Sequence, residues 1–217
     1  MPRRKDLQLS RSLIAETAAA LFRKHGVSGI STRKVAAALG ASPMSLYVHV
    51  GNKEGLIDVV VEQLMSSIKI DLDSEAPWTD QATNWANSLR QQLLTHPGAI
   101  GLLAGRRQAL VRSSEPLVRA LLGAGFTEGA AVRATRLLMW STMGFLSVES
   151  GVEPLDAPTT REPENIARSI SRLHELEGDR SSAFATNARG VGTRDIDALF
   201  TLQIQFIVEG LERSLDE

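Results

Sequence analysis

A chain of 217 residues, 43% hydrophobic and 23% charged, has an ordinary globular composition and enough length for one large domain or a small unit joined to a medium one. It has no cysteine, which excludes disulfides and thiolate metal sites, and no apolar run near the roughly 18 residues that span a bilayer. The net charge of −1 is uneven: residues 1–54 hold nine Lys/Arg and three acids, or +6, which leaves −7 on residues 55–217. A basic end on an acidic body suits a polyanion partner. The basic start "MPRRKDLQLSRS" is followed by no apolar h-region, so a cytoplasmic protein without a signal peptide is expected.

Helical periodicity dominates the chain and strand alternation is nearly absent. From Ser10, the apolar positions Ile14, Ala18, Leu21 and Phe22 recur at helical spacing until Gly26 closes the run. After the turn "GVSGI", Ser31 is placed to cap "TRKVAAAL", which buries Val35 and Leu39 and stops at Gly40. Ser42 and Pro43 then open a short helix over about 43–49, a capping hydroxyl followed by a proline at a position that needs no N–H. Gly51 breaks it, and Asn52 caps a helix running from Lys53 to about Lys69.

Three helices over residues 10–50, the last two joined by the tight turn "LGAS", form a helix-turn-helix arrangement. In its third helix Leu46 and Val50 lie four apart and face inward. Ser42, Pro43, Met44, Ser45, Tyr47 and Val48 are left outside, and small or mixed residues there suit the floor of a DNA major groove.

Beyond the break "EAPWTD", with Thr79 or Asp80 as cap, "QATNWANSLRQQLLT" reads as an amphipathic helix ended by Pro97. "GAIGLLAGRRQALV" is a short, Gly-interrupted piece, and Pro116 falls in the first turn of "EPLVRALLGA". Thr127 caps a long helix, 128–149. A loop at "GVEPLDAPTTREP", a helix from Pro163 to Gly178, a mobile polar loop to about 193 and a last helix at 195–214 complete the chain. The helices at 128–149 and 195–214 are apolar around most of their circumference, which predicts a homodimer built on them. The fold expected is all-α, with a helix-turn-helix unit over 1–55 and a larger helical unit over 56–217.

The stretch "GISTRKVAAALGASPMSLYVHVGNKEGLID", residues 29–58, with its run Leu46-Tyr47-x-His49-Val50-x-Asn52-Lys53, resembles the DNA-binding unit of the tetracycline-repressor (TetR) family. The resemblance covers about 10–60 in detail. Beyond that it rests on helix count, on "GAGFTEGAA" and on "FIVEGL". It implies a dimeric repressor that binds a palindromic operator in double-stranded DNA and releases it when a small-molecule inducer enters the C-terminal unit. By position, Ser31, Thr32 and Arg33 would open the second helix against the DNA backbone and groove edge. Pro43, Met44 and Ser45 would meet base edges, with Ser42 and Val48 beside them, and Tyr47, His49 and Lys53 would grip phosphates. Where the founding repressors carry a base-reading Gln and a groove-facing Trp, this chain has Pro43 and Val48, so a different operator is implied. Leu102 and Val148 replace their metal-binding His and Glu, which argues against a magnesium–tetracycline inducer.

The expected inducer is apolar or aromatic, lined by Trp85, Leu89, Leu102, Leu103, Met139, Trp140 and Met143, with Arg106 and also Asn84, Gln108 and Ser147 as polar contacts. No cofactor, metal or enzymatic activity is expected. The four histidines are scattered without the i, i+4 pairing of a zinc helix, no G-x-S-x-G is present, and "GLLAGRR" and "GAGFTEG" lack a phosphate loop's Lys-Ser/Thr. A helical protein–protein adaptor remains the rival reading, and it leaves the basic, capped helix-turn-helix unexplained.

Overall fold

A computed structural model describes residues 9–103, 106–150 and 196–214, and among these every regular element is helical. The helix predicted from Pro163 to Gly178 and the loops on either side of it lie outside the described residues.

The N-terminal unit is a set of short helices separated by caps. α1 (Arg11–His25) is capped by Ser10, whose Oγ accepts from Leu13 N at 3.2 Å, and ends at Gly26. A 3-10 turn over Gly26–Gly29 leads to α2 (Thr32–Leu39), capped by Ser31 and closed by Gly40 at φ 65°. α3 (Pro43–Val50) is capped by Ser42, and α4 (Lys53–Ser66) by Asn52, whose Oδ1 accepts from Gly55 N at 2.9 Å. Each cap satisfies a backbone donor that a helix start would otherwise leave bare. The buried stripe of α1, Ile14, Ala18 and Phe22, lies along α4 and joins Val35, Leu46, Val50 and Leu56 in one apolar core. α4 stops at Ser66, short of the expected Lys69, because α5 takes over the backbone there. Gln92 Oε1 accepts from Lys69 N at 3.1 Å and its Nε2 donates to Lys69 O at 2.6 Å.

α5 (Trp78–Leu94), α6 (Pro97–Leu103), α7 (Val111–Gly123), α8 (Glu128–Glu149) and α9 (Ile196–Arg213) build the second unit. Two expected boundaries move. α5 begins at Trp78 with Pro77 at the cap position and no side-chain cap, so neither Thr79 nor Asp80 has that part. Trp78 is instead anchored edge-on to Phe126, centroids 5.1 Å apart. α7 begins at Val111, and Pro116 sits inside it rather than in its first turn. The helix grows out of a 3-10 turn over Arg107–Leu110, and buried Ser113 and Ser114 both donate to Leu110 O at 2.8 Å. Thr127 caps α8 as expected.

One charged cluster holds this bundle. Arg90 on α5 makes a bidentate pair with Glu149 at the end of α8, at 2.5 and 2.8 Å, and reaches Asp197 on α9 at 2.6 Å. Its guanidinium lies 4.8 Å from the centroid of the Phe200 ring. The bond to Glu149 raises the Arg90 pKa above the ordinary arginine value, against burial, which lowers it.

Candidate nucleic-acid interface

α3 is held up by its inner face and presents its outer one. Leu46 and Val50 are buried. At 3.6 residues per turn, the direction opposite their midpoint is that of Val48, flanked by Met44 and Ser45. Val48 is 83% exposed and Met44 75% exposed. Ser42, Pro43 and Ser45 are exposed at the helix start, where Ser42 Oγ accepts from Ser45 N at 3.1 Å and meets Ser45 Oγ at 2.8 Å.

Around this face lie the residues expected to hold phosphates. Tyr47 and Lys53 are exposed and His49 is half-buried. Arg33 is exposed in the first turn of α2, and Ser31 is half-buried as its cap. Thr32 is placed differently from the expectation of a groove contact. It is 8% exposed and its Oγ1 lies 3.3 Å from Tyr47 OH, so it orients the phenol from behind.

The junction between α3 and α4 fixes where Lys53 stands relative to the reading helix. Asn52 N donates to Val50 O at 2.9 Å. A Cβ on Gly55 would lie 1.9 Å from that same carbonyl oxygen, a contact backbone atoms cannot make. Only glycine lets the first turn of α4 approach the end of α3 so closely. The part Gly55 plays is not legible in the sequence, since a helical glycine gives no sign of what its missing side chain would strike.

Glu54 and Asp58 are two further site residues that stand out less in the sequence. These acids lie four apart on α4 and both hold Arg106, which follows α6: Nε donates to Asp58 Oδ1 at 2.6 Å and Nη2 to Glu54. The Arg106 guanidinium, a polar contact to the ligand in the sequence reading, lies at the junction between the two units. The i, i+4 acids after the Asn-Lys start of α4 were the available signal.

The remaining expected lining residues separate into two groups. Trp85, Leu89, Leu102, Leu103 and Met139 are buried in the core where α5, α6 and α8 meet, and Trp85 Nε1 donates to Ser113 O at 2.6 Å. Met143 is half-buried. Trp140 is 47% exposed, on the outer side of α8, with the Arg136 guanidinium 4.6 Å from its ring centroid, so it does not share that core. Asn84 and Ser147 are exposed, Ser147 donating to Met143 O at 2.9 Å, and the Gln108 side chain lies outside the described residues. Two surface clefts, of ≈ 510 Å³ against α1 and α4 and ≈ 640 Å³ between the 70–76 segment and α7, include none of the expected lining.

The outer sides of α8 and α9 form an apolar surface. Val132, Leu137, Trp140 and Val148 on α8, and Leu199, Leu202 and Phe206 on α9, are each 45% to 63% exposed. Gln203 Nε2 ties the two helices together through Ser141 Oγ at 2.5 Å and Ser141 O at 3.1 Å.

Two family models match the chain: "Bacterial regulatory proteins, tetR family" over residues 14–60, and "Tetracyclin repressor-like, C-terminal domain" over residues 72–215. An HTH-type transcriptional regulator of Saccharopolyspora erythraea is 31% identical over 207 residues, covering 94% of this chain and 84% of that protein. The class C tetracycline repressor protein of Escherichia coli is 26% identical over 213 residues, covering 95% and 92%. Among solved structures, the Streptomyces coelicolor TetR family protein ActR in complex with actinorhodin superposes with a TM-score of 0.75 at 22% identity, covering 96% of this chain and 98% of that one. BioQ with its double-stranded DNA operator gives 0.58 at 24%, covering 66% and 88%. At these identities the two structures show a shared fold.

Proposed function

Because the chain belongs to the tetR family of bacterial regulatory proteins, we propose that it is a dimeric repressor of transcription, released from a palindromic operator by a small apolar or aromatic ligand. The observation that carries this reading is the outer face of α3, solvent-exposed side chains on a short helix fixed by a cap at each end and an apolar core behind. Such a helix fits a major groove, and around it Arg33, Tyr47, His49 and Lys53 would set depth and register through phosphates. Lys53 stands at the start of α4, where the helix N-terminus adds its own attraction for an anion.

The apolar surface of α8 and α9 would be the dimer contact. Exposed apolar patches of this kind mark association sites, and a two-fold dimer would place two reading helices about one DNA turn apart, ~34–36 Å. Trp140 belongs to that surface in this reading. The ligand would enter among Trp85, Leu89, Leu102, Leu103, Met139 and Met143. The units proposed are 1–55 and 56–217, with α4 reaching into both. Among the described residues no helix is long and apolar enough to cross a membrane, and a cytoplasmic location fits a protein that meets DNA.

The test is selection of bound duplexes from a random pool by the full-length protein, followed by gel-shift titration. Recovery of an inverted repeat supports the proposal. Binding with no sequence preference, or none at all, refutes it and favours an adaptor.

A further inference from the structure

We propose that α3 reads thymine methyl groups, through Met44 and Val48. This inference rests on the operator-binding reading above and specifies its chemistry.

The two large apolar side chains at the centre of the reading face are exposed, at 75% for Met44 and 83% for Val48. Neither can donate a hydrogen bond. The polar groups nearby are short or stand at the edge of the face. Ser45 Oγ lies 2.8 Å from Ser42 Oγ, inside the helix cap, and Pro43 has no N–H. Tyr47 stands off to the side, its hydroxyl 3.3 Å from Thr32. Arg33 opens a different helix, at the edge of the face. A face built to recognise guanine or adenine by hydrogen bonds would carry Arg, Lys, Asn or Gln at its centre. This one carries none between Ser42 and Val50.

Only one group on the major-groove floor is apolar, the C5-methyl of thymine. Exposed methyl and thioether groups lose contact with water there and gain a partner of their own kind. Residues four apart on one helix face have Cβ atoms roughly 5–6 Å apart. Base pairs rise about 3.4 Å each, so the two side chains span one to two base-pair steps. The half-site should therefore carry two thymines at adjacent or next-adjacent pairs, on either strand. Recognition by apolar contact also fits the division of labour on this unit. Sequence is read by shape and methyl contact at the centre, and the grip comes from charged and hydroxyl groups around it.

The experiment uses the full-length protein and the duplex recovered by selection. Each thymine is replaced in turn by deoxyuridine, which removes the methyl and leaves the base pair's hydrogen bonds intact. Affinity is measured by fluorescence anisotropy at one fixed salt concentration. The expected result is two sensitive positions per half-site, each losing about 3- to 5-fold, the equivalent of one methyl group returned to water. Val48→Ala should lose a similar factor on the thymine duplex and become indifferent to deoxyuridine at one of the two positions. Met44→Ala should do the same at the other. Both side chains are exposed, so far-ultraviolet circular dichroism and dimer mass should not change. A sequence-specific duplex whose affinity is unmoved by deoxyuridine at every thymine overturns the inference. So does sensitivity that persists unchanged in both variants, since another residue then reads the methyls. A protein that selects no sequence at all fails at the first step, which removes the operator reading itself and this inference with it.

Discussion

Replacing Arg90 by Met should destabilise the protein by about 3–4 kcal/mol, with very unequal shares from two ion pairs of nearly equal length. Arg90 meets Glu149 at 2.5 Å and Asp197 at 2.6 Å, but the side chains of Arg90 and Glu149 are only 10% and 13% exposed, and that of Asp197 is 87% exposed. Methionine keeps the apolar stem and removes the charge. Breaking a buried pair costs about 3–5 kcal/mol, because the surviving carboxylate loses both water and partner. Glu149 ends its helix near the surface, so the lower part of that range applies. The stacking over Phe200 is included, at about 0.5–2 kcal/mol. Asp197→Asn, by contrast, breaks an exposed pair worth at most about 1 kcal/mol. Urea unfolding at a fixed protomer concentration measures all of these, since a dimer's stability depends on concentration. Salt at ~1 M should abolish the Asp197 effect and leave most of the Glu149 effect. The double variant Arg90→Met/Glu149→Leu should recover much of the loss, an apolar pair replacing a broken ionic one. If Asp197→Asn costs as much as Glu149→Gln, burial does not decide the weight of these pairs.

Gly55→Ala should abolish operator binding while dimer mass and most helical signal persist, because a Cβ there meets the Val50 carbonyl at 1.9 Å and drives α4 from α3; retained binding in a gel shift would contradict the close approach. Operator affinity should fall by roughly 10³-fold or more between 50 and 200 mM salt if ~6–10 phosphates are gripped, and Lys53→Ala should flatten the slope of log K against log salt by about one or two per dimer. Phe206→Glu, at 63% exposure, should dissociate the dimer without unfolding the protomer, seen as halved mass in light scattering together with loss of DNA binding; a folded, DNA-binding dimer would remove α9 from the interface.

What was legible in the sequence was mostly local. Ser31, Ser42, Asn52 and Thr127 all cap the helices assigned to them, because a cap is a bond between residues three apart. The inner face of α3 was equally readable from the four-residue spacing of Leu46 and Val50. What is not legible in the sequence depends on distant partners. Arg106 lies 48 and 52 positions from its two acids, and no periodicity connects them. The side on which Trp140 lies is hidden on a helix that is apolar all round, where hydrophobicity cannot tell the core side from an association surface. Pro116 looked like a helix start, since the preceding 3-10 turn that carries α7 in from Leu110 leaves little trace in composition.

The position of Arg106 bears on how a ligand would act at a distance. A ligand shifts an equilibrium only by its difference in affinity for the two arrangements, and weakening operator binding roughly 30- to 150-fold takes about 2–3 kcal/mol. Arg106 lies three residues beyond the end of α6, whose Leu102 and Leu103 belong to the proposed lining; its N donates to Leu103 O at 2.9 Å, and its guanidinium holds α4, which carries Lys53. Movement of α6 can therefore reach α4 through the Arg106 side chain as well as through direct packing. The arginine side chain is 15% exposed, but Asp58 and Glu54 are 42% and 66% exposed, so each bond is worth about 0.5–1 kcal/mol after screening. Together they supply about half of what release requires, the rest falling to apolar packing between α4 and α6. Arg106→Gln should accordingly reduce the factor by which inducer weakens operator binding by about 5- to 30-fold, that is, by ~1–2 kcal/mol. By reciprocity, the factor by which operator weakens inducer binding should shrink equally, which titration calorimetry with and without DNA can measure. Arg106→Glu paired with Asp58→Arg should restore part of the coupling. An unchanged coupling factor in Arg106→Gln would show that the signal passes from α6 to α4 by packing alone.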